Sequence, residues 1–321
     1  MKVLYIFLLL FLFGAESTVH SQKTNTNAGR GQINSFVYHR FGDNRYPSTN
    51  ISLEDFRKHL EFLKKNNFHV VTLGRALDLL DNNELPEKTV VLTVDDGYKS
   101  FYENAMPLLR EFSYPATLFI NTRQLGSGDF LSLEQIKHLR EDGIEIGNHS
   151  HSHAHFVSLP PEARLDSFRI DLKISQRIFS EKLGFQPELF AFPYGEYTPG
   201  MQDLLKEFGF TGATAQKSGV IASFSDRFAL PRFPMAGPFV KIERFKPKAQ
   251  MKAFPVKPIN IETPLLNDKN PPRLKLKIIQ SENINLNQLQ FFADGTKQNM
   301  IEIDKEEKTI LVKADSRLKS R

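Results

Sequence analysis

The chain has 321 residues, 40% of them hydrophobic and 25% charged, which suits one large globular domain or one domain plus a small one. The net charge of +5 is spread along the chain with no dense basic block, so a nucleic-acid partner is not expected. There is no cysteine, which excludes disulfides, thiolate metal sites and a lipoprotein anchor and leaves His, Asp and Glu as the metal ligands.

Residues 1–15, "MKVLYIFLLLFLFGA", carry one lysine and then an apolar run too short for a comfortable membrane span. With the polar stretch that follows, this is the layout of a secretory signal. Val19 and Ser21 supply the small residues for cleavage after Ser21. The expectation is a signal peptide over 1–21, with an uncleaved anchor as the alternative, a flexible leader over 22–32, and an exported chain with no span after cleavage. From Ile33, short apolar runs alternate with amphipathic ones. Ile33–Tyr38 reads as a buried strand. Ser52 opens a helix with a capping-box pattern reaching Asp55. "FHVVTL" is a strand and "GRALDLLDN" a short helix; "TVVLTV" at 89–94 is a β-branched strand buried on both faces. A helix interrupted by Pro107 follows, then "ATLFI", a second capped helix from Ser132 to Gly143, "IEIGN", a long helix over 161–183, "ELFAF", "GMQDLLKEFG" and a weak strand "TGATA".

Alternation of strand and helix requires crossover connections and therefore parallel pairing. About seven or eight units in roughly two hundred residues favour a distorted (β/α) barrel over an open doubly wound sheet. The barrel is expected over 33–246. Beyond the Pro-containing "FKPKAQMKAFPVKP", period-two alternation in "RLKLKIIQ" and "KTILVKAD" marks a small C-terminal all-β module over 247–321. It is read as a spacer or carbohydrate-contacting module, or as a plain structural appendage.

In parallel β/α folds, chemistry collects at the carboxyl ends of the strands. The first strand here ends in His39, "TVVLTV" in Asp95 and Asp96, "IEIGN" in "HSHSHAH", and "ELFAF" in Pro193–Tyr194–Gly195. Adjacent carboxylates after an apolar strand repel unless a cation lies between them or one is protonated. The plainer alternative is an Asp-Gly turn that caps a helix. Of the four histidines, His149 and His153 are four apart, as are His151 and His155, and neutral imidazole is the commonest metal ligand. Two histidines, one carboxylate and an open position describe a catalytic zinc site, and equally a non-haem iron site.

"TVDDG" and "EIGNHSHSH" resemble two signature motifs of the polysaccharide deacetylases, the NodB-homology family (carbohydrate esterase family four), over about residues 33–240. The resemblance implies a distorted β/α barrel. It implies Asp95 as general base, with Asp96, His149 and His153 holding a divalent metal, usually zinc, with cobalt, nickel or iron as alternatives. Both histidine pairs fit the family pattern H-[ST]-x-x-H; the first follows "EIGN" as in the family. "FAFPYG" resembles a third motif, which implies the backbone N–H of Tyr194 as an oxyanion donor. The family's arginine in that motif falls at Ala191, and Arg232 in "LPRFP" resembles the substitute used in the poly-N-acetylglucosamine deacetylase branch. A surface salt bridge is the other reading of Arg232. No histidine follows His155, so the family's late acid is missing. "YHRF" at 38–41 resembles the element that supplies it in that branch, which implies His39 as general acid. The expected activity is metal-dependent N-deacetylation of a polysaccharide, preferably poly-N-acetylglucosamine. Peptidoglycan or chitooligosaccharide deacetylation, polysaccharide O-deacetylation and an inactive carbohydrate-binding protein are the rivals.

Overall fold

A computed structural model of the protein describes residues 31–260, 270–279, 285–293, 296–298 and 300–318; the expected signal peptide and all but the end of the leader lie outside them. In chain order the first strands are β1 (Gln32–Tyr38), the two-residue β2 (Arg40–Phe41) and β3 (Asn50–Ile51), β4 (His69–Val71), β5 (Thr89–Val94), β6 (Thr117–Ile120), β7 (Glu145–Asn148), β8 (Leu189–Ala191), β9 (Gly212–Thr214), β10 (Ile221–Ala222) and β11 (Phe233–Pro234). The helices between them are α1 (Leu53–Lys65), α2 (Leu73–Asp81), α3 (Met106–Phe112), α4 (Leu133–Glu141), α5 (Pro161–Ile178), α6 (Pro199–Glu207) and α7 (Ile242–Ala249).

The principal sheet runs β1-β5-β6-β7-β8-β9, every neighbouring pair parallel. β5 is buried at all of its positions, as its Thr/Val-rich sequence requires of a strand with helices outside and side chains inside. The sheet curls until its edges meet through one extended segment. Leu230 N–H donates to Ala213 O and Ala215 N–H to Leu230 O, each at 2.9 Å. A few residues on, Phe233 pairs with Phe36, and Met235 N–H donates to Val37 O at 2.9 Å. The segment around Arg232 is therefore the closing stave, bonded to β9 on one side and β1 on the other. The expected distorted barrel is what forms.

Local signals act as anticipated at most helix starts. Ser132 and Gln135 form the complete reciprocal box at α4, and Thr72 and Thr198 cap α2 and α6. At α1 only half of the box forms. Ser52 Oγ accepts from Asp55 N–H, but the Asp55 carboxylate takes the Ser52 hydroxyl and the Lys241 ammonium instead of reaching back to the cap. Pro107 starts α3 after a single π-turn at Phe101–Ala105, because it cannot donate to the preceding turn.

The expected boundary at 246 is displaced. α7 runs across it, and β1 holds the chain beyond: Asn34 Nδ2 donates to Lys248 O at 2.7 Å and Met251 O at 3.0 Å, and Gln32 bonds Met251 O and Ala253 N. The remaining strands are β12 (Val256–Pro258), β13 (Arg273–Ile278), β14 (Phe291–Ala293), β15 (Thr296–Gln298), β16 (Met300–Asp304) and β17 (Thr309–Lys313). They form an antiparallel sheet in the order β12-β13-β17-β16 and a hairpin β14-β15. Leu276, Ile278, Phe291, Ile310 and Val312 make a core of their own for this part.

Candidate active site

The two aspartates at the end of β5 diverge. Asp95 turns inward to Arg232: Nη1 and Nη2 donate to Oδ1 and Oδ2 at 2.7 and 2.8 Å, a bidentate fork. Arg232 also donates to Thr93 Oγ1 at 3.1 Å and Ala215 O at 3.3 Å, and it is only 1% exposed. The surface salt bridge that the sequence left open is therefore not its role. Burial alone would raise the Asp95 carboxyl, but the Arg232 guanidinium, then His149 and His39, hold it below its ordinary value. Asp95 is ionised at neutral pH.

Asp96 takes a left-handed backbone, φ +74°, which turns its carboxylate away from its neighbour. Its Oδ1 lies 3.4 Å from His149 Nε2 and 3.2 Å from His153 Nε2. One ligand atom from each of the three residues falls within 4.8 Å of the others. His149 Nδ1 sits 2.7 Å from Ala191 O. A carbonyl only accepts, so Nδ1 carries the proton, and in the neutral ring the Nε2 lone pair faces Asp96. Two imidazole nitrogens around one carboxylate oxygen are satisfied either by protons on the rings or by a cation between them. Burial disfavours a charged His149, yet Asp95 and then Asp96 raise its pKa, and the same field favours a divalent ion. The donor set therefore fits a metal.

The loop after β7 is shaped for this by residues invisible to motif reading. Ser150 and His153 are both left-handed, φ +67° and +53°. Asn148 Oδ1 accepts from Ser150 N–H, and Ser150 Oγ accepts from His153 N–H. The buried Asp171 of α5 accepts from the N–H groups of His151 and Ser152, at 2.6 and 2.9 Å. These bonds bend the chain so that alternate histidines part company. His151 Nδ1 meets Thr122 Oγ1 and His155 Nδ1 meets Glu196 Oε2, away from Asp96. No sequence signal marks Asp171, a polar residue within a long amphipathic helix.

Tyr194 follows β8, left-handed at φ +58°, with its ring edge-on to His153 at 4.6 Å and stacked on His155 at 3.5 Å. His39 follows β1 on the neighbouring strand; Asp95 N–H donates to Tyr38 O. Its electrostatic influence reaches Asp95 and Asp96. His39 Nδ1 is buried and has no partner among the described residues. Tyr98 lines the same end. Burial, and then Asp96, push its hydroxyl up to about 12, and its ring covers the Arg40 guanidinium at 3.5 Å. Asp95, Asp96, His149, His153, Tyr194, Arg232 and His39 thus all gather at one end of the barrel.

A parallel barrel with an ion-paired buried aspartate beside an Asp–His–His cluster at its strand ends is suited to metal-assisted hydrolysis. Residues 82–213 match the family model described as polysaccharide deacetylase. The match covers less than half of the chain, and over those residues the chain resembles that family. The match spans Asp95, Asp96, His149, His153 and Tyr194; His39 and Arg232 lie on either side of it. A poly-β-1,6-N-acetyl-D-glucosamine N-deacetylase of Staphylococcus epidermidis is 24% identical over 212 residues, 62% of this chain and 73% of that protein. The IcaB structure from Ammonifex degensii is 27% identical with a TM-score of 0.61, covering 68% of this chain and 97% of that one. The Streptococcus pyogenes deacetylase PplD, solved with acetate, shares the fold at 21% identity and a TM-score of 0.62, covering 68% of this chain and 98% of that one.

Proposed function

We propose that the protein is an exported, metal-dependent N-deacetylase of poly-N-acetylglucosamine. The observation that carries the chemistry is the convergence of Asp96, His149 and His153 within 4.8 Å beside an ionised, arginine-paired Asp95. Asp96 Oδ1 and the two Nε2 atoms would hold the ion, zinc in the first instance. When bound, it supplies Lewis-acid polarisation of the acetyl oxygen and a water that ionises near neutral pH.

The protein's own residues do the rest. Asp95, kept ionised by Arg232, accepts the proton of the attacking water as its oxygen bonds to the acetyl carbon. The Tyr194 N–H donates to the carbonyl oxygen as negative charge grows there. His39 gives a proton to the sugar nitrogen as the C–N bond breaks. Acetate and a free glucosamine unit leave, and the atoms balance with one water consumed. Poly-N-acetylglucosamine is favoured because, among the described residues, the histidine on the strand end next to the aspartates is the early His39, and because the Staphylococcus relative is named a poly-β-1,6-N-acetyl-D-glucosamine N-deacetylase. Among the described residues no helix is long and apolar enough to cross a membrane. Export rests on the signal-like first residues.

Acetate release from β-1,6- and β-1,4-linked N-acetylglucosamine oligomers, with and without a chelator, tests this. The expected result is chelator-sensitive acetate, restored by zinc or cobalt and larger for the β-1,6 series. Metal-independent release, or none from any oligomer, overturns it.

A further inference from the structure

Four histidines occupy seven positions after β7, and the proposed chemistry uses two of them. His151 is accounted for by Thr122. His155 is different, because it spans two loops. Its ring lies flat on the Tyr194 ring, centroids 3.5 Å apart and planes 11° apart. Its Nδ1 lies 3.1 Å from Glu196 Oε2; a carboxylate only accepts, so Nδ1 carries the proton and donates. Glu196 is 8% exposed, and its own N–H donates to Pro193 O, so it belongs to the same turn as Tyr194. His155 therefore ties the loop that carries His149 and His153 to the turn that carries Tyr194.

That turn is closed by Gly195 N–H donating to Phe192 O at 2.8 Å and Glu196 N–H donating to Pro193 O at 3.1 Å, and its backbone is left-handed. Tyr194 and Gly195 are consecutive left-handed residues, φ +58° and +69°, and a Cβ on Gly195 would fall 2.2 Å from Gln216 N. The Tyr194 ring also meets His153 of the ligand cluster edge-on. The aromatic sequence His155–Tyr194–His153 thus runs from a fixed carboxylate to the metal-ligating position.

We propose that His155, anchored by Glu196, is a positioning residue: it fixes Tyr194, and with it the Tyr194 N–H, relative to the Asp96/His149/His153 cluster. The inference rests on the deacetylase reading for what that N–H does. Donors to a developing oxyanion are effective only over a few tenths of an ångström, and a misplacement of about 1 Å can cost about a hundredfold in rate.

The test has two arms. In the first, zinc-loaded His155→Ala is expected to lose about tenfold to a hundredfold in kcat, with KM and zinc affinity near those of the native protein. His155→Phe, which keeps the stacked ring, recovers most of the loss, and Glu196→Ala falls between. A merely structural residue would shift the melting temperature and leave kcat in place. A native kcat in His155→Ala, or a loss that tracks weakened zinc binding, overturns the proposal. The second arm needs no turnover. The chain has no tryptophan, so Tyr194→Trp introduces a single indole at the braced position. Its fluorescence anisotropy is expected to fall, and its acrylamide quenching to rise, when His155→Ala is added; unchanged values overturn the brace. Should native protein release no acetate from any oligomer, the deacetylase reading fails, and this second arm decides the brace alone.

Discussion

Replacing Arg232 by Met removes the one cation that forks onto Asp95 and leaves a 4%-exposed carboxylate in the barrel with no hydrogen-bonding partner of its own strength. Breaking a buried pair from one side costs about 3–5 kcal/mol, because the remaining charge is left without compensation. At about 2–4 °C per kcal/mol for a domain of this size, the melting temperature should fall by about 6–20 °C. The pH dependence gives a sharper reading. In the native protein the Asp95 carboxyl is held below its ordinary 3.8, so its stabilisation is present above that pH and is lost only in stronger acid. In Arg232→Met burial dominates and the carboxyl rises instead. The variant is then least penalised in acid and increasingly destabilised as pH rises toward neutrality, by about 1.4 kcal/mol for each unit of upward shift. Urea unfolding of both proteins at acidic, intermediate and neutral pH measures the widening gap. Arg232→Lys keeps the charge without the fork and should fall between them. A gap independent of pH, or an Arg232→Met as stable as the native protein, would refute the assignment of Arg232 as the electrostatic partner of Asp95.

Three further outcomes are expected. Asp171→Ala frees the two N–H groups that bend the histidine loop, and should weaken zinc binding by about 10–100-fold in titration calorimetry without unfolding the barrel. His39→Ala should lower kcat by about 10²–10⁴ while leaving the melting temperature nearly unchanged, since its buried Nδ1 makes no bond to lose; native turnover in this variant would remove His39 as the acid. His59 is fully buried between Tyr38 Oη and Val240 O, and burial takes its pKa from 6.5 down to about 4. Its neutral form is the folded one, so stability should drop by about 3 kcal/mol as pH falls from 6.5 to about 4. His59→Gln should flatten that slope.

The barrel and its functional end were legible because they depend on short-range pattern. A β-branched run such as 89–94 has one stable use, a strand buried on both faces, and the residue after it must emerge at the mouth. The neighbouring "EIGN" is what points to His149 and His153 in the sequence, and the bent loop puts those two, not His151 and His155, beside Asp96. What stayed hidden depends on distant partners. The closing stave contributes only the two-residue β11, too short for any periodicity. Arg232, tied to the site in sequence only through the resemblance, reaches Asp95 across 137 positions, and Asp171 meets its N–H partners from the next helix. Left-handed φ at Asp96, Ser150, His153 and Tyr194 is unexpected from residue type, because non-glycine residues adopt it only when surrounding bonds impose it. α7 reads past its boundary for a similar reason: Asn34, over two hundred positions earlier, holds its last turn.

The closing stave carries a consequence for assembly. Until residues 229–235 dock between β9 and β1, Arg232 is absent and Asp95 faces a half-built interior. An ionised carboxylate there opposes the burial of β5, and the last insertion relieves it. Completion of the ring and the pairing of Asp95 become one event, coupled through a contact of high sequence separation and therefore late and slow to form. Chains interrupted before that stave should remain both open and without the arginine fork on Asp95.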